Sequence, residues 1–425
     1  MNCHASGDLG RAEYLYCKLV AHAEDHSAAY FGLGTIYAQC HLHGRAITFL
    51  KKAIELQPDG NGAMENLAAV YREMEKRDQA RYWGERALSL AKTPLALANY
   101  SGTYINDGNP ELALKWAEEA IALKPLPQAL NHKALALLEL GRFEEGWEVY
   151  DARLDLPQIH RRPYKAPMWD GKPVKRLAIH GEQGLGDEIL FLTCLAQLKD
   201  RAEEIAIECA GRLVKLVQNS FPFAKVYATH EELISGLGEP DAWIAMGSLP
   251  RLCWPVVPNT YLRPTKQLPK LGKVGLSWKG GTLATHQVLR NAPIELWKTF
   301  TDLDCISLQY GDEEENAKIL GVPHDPEAIA DLDHLAALIK SCDLVITVCN
   351  TTVHLAGALG VPCIVLVPSA PAWRYGMKGE LMVWYDSIRM VRQRDGEAWA
   401  SVMQRAKERA IAYLRELSGT EQSPA

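Results

Sequence analysis

The sequence predicts a multidomain chain: an all-α solenoid of paired helices, followed by an α/β part made of two parallel-sheet units in tandem. Three observations carry this. A pattern recurs every 33 or 34 residues through the first 155 positions, a Pro-rich basic stretch ends that periodicity, and short β-rich runs alternate with helical stretches from Arg176 onward. The 425 residues suit two or three domains, at about 100–200 residues each. A composition 48% hydrophobic and 23% charged is that of a globular chain with a sizeable core, not of a disordered one. Only Ser418 to Ala425 reads as a loose tail.

The repeats come first. Small residues align as Ala12, Ala46, Ala80, Ala113 and Gly146, with Ala53, Ala87 and Ala120 seven positions later in the central copies. An aromatic position holds the same interval at Tyr37, Tyr71 and Tyr104, and Leu137 closes the series. Each copy reads as two amphipathic helices in which small residues permit close approach and the aromatic fills the adjacent gap. In the clearest copy Tyr30, Leu33, Gly34, Tyr37, Ala46, Leu50, Ala53 and Pro58 stand at the landmarks of the tetratricopeptide pattern, so residues 1–155 resemble a tetratricopeptide array. About four copies and an initial half-copy around Ala12 to Val20 are expected to stack into a right-handed solenoid with a concave face. The blunt start at Met1 suggests a missing or degenerate cap, since a solenoid end usually carries a polar covering element. Asn66 and Asn99, one repeat apart, resemble the asparagine ladder of O-linked N-acetylglucosamine transferases, which implies a peptide groove; ordinary polar surface is the competing reading.

Several classes are disfavoured. A net charge of −6 offers no basic excess for a nucleic-acid backbone. No apolar stretch of about 18 residues exists, and Asp8, Arg11 and Glu13 interrupt the start where a signal peptide would be apolar, so a cytoplasmic location without membrane insertion is expected. Ten cysteines without a C-x-x-C pair read as reduced, buried thiols.

Residues 156–175 read as a linker. The runs at 176–181, 205–210, 225–229 and 242–246 then define a first Rossmann-like domain, 176–268. Those at 273–280, 305–311, 343–348 and 362–368 define a second, 269–417. Ligands of such sheets bind outside the carboxyl ends of the strands, which directs attention to three turns.

In the first, Gly184 and Gly186 let a ligand approach the backbone where a helix begins. A dinucleotide reading, with Glu208 on the ribose, fails because the third glycine would fall at Ile189 and Asp187 would oppose a pyrophosphate. Asp187 suits a base facing an acceptor hydroxyl, with helix capping as the plain alternative and Glu182 as a rival. In the second, Asn350, Thr351, Thr352 and His354 open a helix suited to a diphosphate. In the third, Lys279 offers a charge to phosphate while Gly280 and Gly281 leave room for a nucleotide; Gln309 and Tyr310 border the same crevice. The Asp302/Asp304 and Asp331/Asp333 pairs read as helix caps and strand flanks, so no metal site is expected.

At these residues, GEQGLGDEI, SWKGG, SLQYGD, DLVITVCNTTVHLAGALGVP, AWRYG and RMVRQ, the chain resembles the bacterial tetratricopeptide-containing glycosyltransferases. Their catalytic part is similar to the ADP-heptose:lipopolysaccharide heptosyltransferases, glycosyltransferase family 9. The resemblance implies a GT-B fold of two Rossmann-like domains and inverting, metal-independent transfer from a nucleotide-sugar, with no further cofactor. It implies Asp187 as the catalytic residue, the Lys279 and Asn350-to-His354 segments as donor contacts, and accessory positions at Arg290, Trp373 and Arg374. Cys349 and Asn350 depart from the family's acidic residue followed by Thr, which implies a different donor. The expected acceptor is a protein docked by the repeats or, alternatively, a saccharide. A non-catalytic scaffold is the competing class.

Overall fold

A computed structural model describes residues 8–156, 159, 161–281, 287–310 and 313–419. The expectations placed on the tail beyond Gly419, on Pro157, Gln158 and His160 of the linker, and on Gly311 at the end of the 305–311 run lie outside the described residues. The chain divides into two units, Met1–Ile159 and His160–Ala425.

The first unit is a helical, tetratricopeptide-like solenoid. After Leu9–His22, the pairs are Ser27–Gln39 with His43–Leu56, Asn61–Glu73 with Arg77–Leu90, Pro94–Asn106 with Pro110–Leu123, and Pro127–Glu139 with Phe143–Val149. Proline in the first turn supplies a preset φ where no helical N–H bond is lost, and the Thr93 and Asn109 side chains cap their helices by accepting from Ala96 N and Leu112 N. The recurring alanines Ala46, Ala80 and Ala113 are fully buried. A Cβ on Gly34 would lie 2.6 Å from the Leu50 side chain, which shows how tightly paired helices approach. Each pair turns through one left-handed residue, at His41, Glu75, Gly108 and Gly141. Leu33, Tyr37, Leu50, Met64, Leu67 and Tyr71 join neighbouring copies in one core.

The second unit holds two sheets. Strands β1 (Val174–His180), β2 (Ala202–Glu208), β3 (Ala224–Tyr227) and β4 (Ala242–Ala245) form a parallel sheet in the order β3-β2-β1-β4. Strands β5 (Val274–Ser277), β6 (Cys305–Ser307), β7 (Leu344–Val348), β8 (Cys363–Val367), β9 (Leu381–Met382) and β10 (Tyr385–Arg392) form the second, ordered β6-β5-β7-β8-β10-β9 and parallel except at β9. Helix Trp399–Leu417 closes the core of that sheet through Val402, Met403, Ala406 and Ala410.

The segment expected as a linker differs. Trp169 N donates to Trp243 O at 2.7 Å, Trp243 N donates to Pro167 O at 3.1 Å, and the Trp169 side chain is buried. Residues from Tyr164 to Trp169 therefore belong to the first sheet's packing, because two large aromatic rings here gain more by burial than by solvation. No helix among the described residues is long and apolar enough to cross a membrane.

Candidate functional site

The turn after β1 and the turn after β7 meet. Helix Leu185–Leu192 starts at Gly184, whose carbonyl accepts from Asp187 N and Glu188 N at 2.9 and 3.0 Å. A Cβ on Gly186 would stand 2.9 Å from His354 Cδ2 and 3.7 Å from Thr351 Cα, so glycine is what lets this helix press against helix Thr351–Leu359. Asp187, one residue on, forms an ion pair with Arg374, and both side chains are largely buried at 18% and 16% exposure. The Arg374 guanidinium lies over the Trp373 ring at 5.2 Å, and Trp373 stacks on Phe191 at 6.2 Å. One side chain from each sheet thus holds a charge in the same place.

Around the β7 turn many polar groups hold the turn itself together. Asn350 Oδ1 accepts from Thr347 Oγ1 at 3.0 Å and Thr352 N at 2.9 Å, while its Nδ2 donates to Ser277 Oγ at 2.9 Å and Lys279 O at 3.1 Å. The Thr352 hydroxyl, fully buried, donates to Ser277 Oγ at 3.2 Å. Gln309 Oε1 accepts from Ser277 Oγ, Trp278 N and Lys279 N, and its Nε2 donates to Lys279 O and Tyr310 O. The side chains of Asn350, Thr352 and Gln309 spend these hydrogen bonds on fixing the ends of β5, β6 and β7. Thr351 is the hydroxyl left at the rim, hydrogen-bonded with Tyr310, whose phenol is pushed up by burial despite that bond. His354 is also interior. Burial first, then the Arg374 charge, hold its imidazole well below the ordinary range, so the ring is neutral at physiological pH. Its buried Nδ1 has no hydrogen-bond partner among the described residues.

Lys279 Nζ pairs with the Glu313 carboxylate at 2.6 Å, with the lysine side chain half-exposed and the glutamate buried. Burial acts to raise the Glu313 pKa, but hydrogen bonds from Lys279, Asn316 and Trp278 outweigh it and hold the carboxyl below its usual range. The lysine charge is therefore already matched. Gly280 packs so closely on Asn350 that a Cβ would lie 2.3 Å from Asn350 Cβ, whereas Gly281 is exposed with φ 81°. Arg290 Nη1 donates to Cys349 O at 3.1 Å, and burial pushes the neighbouring Cys349 thiol up to about 11. Glu182 accepts from Gly247 N at 3.0 Å, tying the β1 turn to the turn after β4. Asp331 caps helix Leu332–Ser341 through Asp333 N, and Asp333 accepts from Thr265 N. Asp302 pairs with Lys407 at 2.7 Å.

Two of three further carboxylates, Glu188 and Glu313, carry no distinctive sequence signal. Glu188, behind Asp187, accepts from Ala210 N at 2.9 Å, and burial pushes it up to about 7. Glu208, considered only as a ribose ligand, is buried in an ion pair with Arg162. Glu313 lies just beyond the undescribed Gly311 and Asp312, in a polar run that reads as surface. In the repeat unit, Asn66 Nδ2 donates to Thr35 Oγ1 at 2.8 Å and Asn99 Oδ1 accepts from Gln128 Nε2 at 2.9 Å. Both amides thus bond to residues of neighbouring repeats.

Residues 27–59 match the tetratricopeptide repeat family model. Protein FlbA of Caulobacter vibrioides (strain ATCC 19089 / CIP 103742 / CB 15) is 28% identical over 489 residues, covering 94% of this chain and 81% of FlbA. Among solved structures, the chain is similar to MamA, at 22% identity and a TM-score of 0.32 over 36% of this chain and 91% of that one. It is also similar to YrrB, described as a TPR protein with an unusual peptide-binding site, at 20% identity and a TM-score of 0.29 over 33% and 73%.

Proposed function

We propose that the carboxy-terminal unit is an inverting, metal-independent glycosyltransferase of the GT-B kind, and that the tetratricopeptide repeats recruit its acceptor as a protein. The observation that carries this reading is the meeting of Asp187 from the first sheet with Arg374 and the Thr351 helix start from the second, at the carboxyl ends of both parallel sheets.

In this reading the nucleotide-sugar lies with its diphosphate toward Arg374, Thr351 and the helix start. Arg374 exchanges its carboxylate partner for phosphate oxygens, which releases Asp187. The Asp187 carboxylate takes the proton of the acceptor hydroxyl; the acceptor oxygen bonds to the anomeric carbon as the bond to the diphosphate oxygen breaks; the nucleoside diphosphate departs with that electron pair. Arg374, with Lys279 shared between Glu313 and the ligand, stabilises the departing charge. Tetratricopeptide repeats are a protein-docking architecture, and by themselves they support a scaffold that binds a partner without catalysis.

Calorimetric titration with UDP-, GDP-, ADP- and CMP-sugars, followed by a transfer assay, tests the reading. A glycosyltransferase binds one of these donors, and Asp187→Asn keeps that affinity while lowering turnover by at least about 10²-fold, the low end for general-base catalysis. Arg374→Ala weakens donor affinity by about 10–100-fold, the loss of one charge-assisted hydrogen bond. Failure of every donor to bind supports the scaffold.

A further inference from the structure

We propose that His41, His43 and Glu73, in the repeat unit, form a binding site for a divalent transition-metal ion of the zinc class. His41 occupies the turn after helix Ser27–Gln39, His43 opens helix His43–Leu56, and Glu73 ends helix Asn61–Glu73 of the next repeat. His41 Nδ1 lies 3.4 Å and His43 Nε2 2.9 Å from the same carboxylate oxygen, Glu73 Oε2, and the three ligand atoms all fall within 4.8 Å of one another. A tetrahedral zinc ion with bonds of about 2.0–2.1 Å sets its ligand atoms about 3.3–3.4 Å apart, so the spacing needs only small side-chain shifts.

The donor chemistry selects the ion. Two imidazole nitrogens and one carboxylate oxygen suit zinc and its neighbours in the first transition row, whereas magnesium and calcium require oxygen-rich sets. His41 is 76% exposed, Glu73 43% and His43 26%, so a fourth position faces water.

The backbone fixes where the His41 ring stands. His41 has φ 55°, a left-handed conformation that side chains resist. The second repeat fills this position with Glu75 at φ 57°, and the third and fourth with Gly108 and Gly141. This turn aims His41 Nδ1 at Glu73 of the following repeat. An ion at this point would fasten one helix pair to the next. The site lies in the repeat unit and stands apart from the proposed transferase chemistry.

The test uses the full chain, zinc chloride alone and metal-free controls. Wild type binds one zinc ion more than His41→Gly or Glu73→Gln, or binds it more than about tenfold tighter, since even an outer-shell partner of a metal is worth that much. Zinc raises the melting temperature of the wild type and magnesium does not. In chelator, His41→Gly melts no lower than wild type, because glycine relieves the left-handed turn. That control separates loss of a ligand from loss of fold. Cys17 and Cys40 are exposed thiols that can take up zinc independently, so the difference from wild type is the quantity read. Equal zinc stoichiometry and affinity in all three proteins overturns the proposal, as does the absence of any zinc response in the wild type.

Discussion

Glu188 shows how a single residue near the site couples burial to pH. Its carboxyl is pushed by burial from the ordinary 4.5 up to about 7, so the folded state favours the protonated form. The stability it contributes is fully present below pH 4.5 and is lost as pH rises through 7. Glu188→Gln mimics the protonated side chain. It is expected to leave urea stability nearly unchanged at pH 4.5 and to raise it at pH 8 by about 3 kcal/mol. His132 behaves with the opposite sign. Burial, followed by the Arg72 charge, pushes it down to about 4 from 6.5, so its contribution is present above pH 6.5 and lost as pH falls toward 4. The repeat unit is expected to lose stability across that window, and His132→Gln to flatten the slope in thermal melts.

At the scale of elements, Gly280 and Ser277 define how the second sheet's turns are held. Ser277 Oγ links Asn350, Thr352 and Gln309, and Gly280 permits the contact with Asn350. Gly280→Ala forces a Cβ into that contact, and overpacking of this kind costs about 1–3 kcal/mol. Lowered stability together with weakened donor binding is the expected result, measured by denaturant titration and calorimetry. The same region shows why some features were legible in sequence and others were not. Repeats with fixed alanine spacing and short β-rich runs after which glycines cluster carry local signals, so the helical pairs and β1 to β8 could be read directly. Strand β10, Tyr385–Arg392, mixes charged with apolar residues and extends the sheet only because β8 offers it an edge. The segment around Trp169 reads as a linker from its prolines, although its backbone bonds to β4 and Tyr164 stacks on Trp243. For the site, the turns were legible but the division of labour was not. Whether Asn350, Thr352 and Gln309 face a ligand or one another depends on contacts between residues up to 75 positions apart. The Asp187–Arg374 pair spans 187 positions, and no local pattern encodes it.

On the scale of the whole molecule, a helical repeat unit and an α/β unit each have a core of their own. If the repeats deliver a protein acceptor, removing residues 1–159 abolishes transfer to protein while hydrolysis of the nucleotide-sugar persists in a donor-consumption assay. Transfer to a small saccharide that survives the deletion would instead assign the acceptor to the α/β unit alone. The most direct measurement is donor binding and turnover in the full chain beside Asp187→Asn. One nucleotide-sugar is expected to bind both proteins equally and to be turned over by the wild type alone. Undiminished turnover by Asp187→Asn, or no binding of any nucleotide-sugar, contradicts a glycosyltransferase built on the Asp187–Arg374 junction.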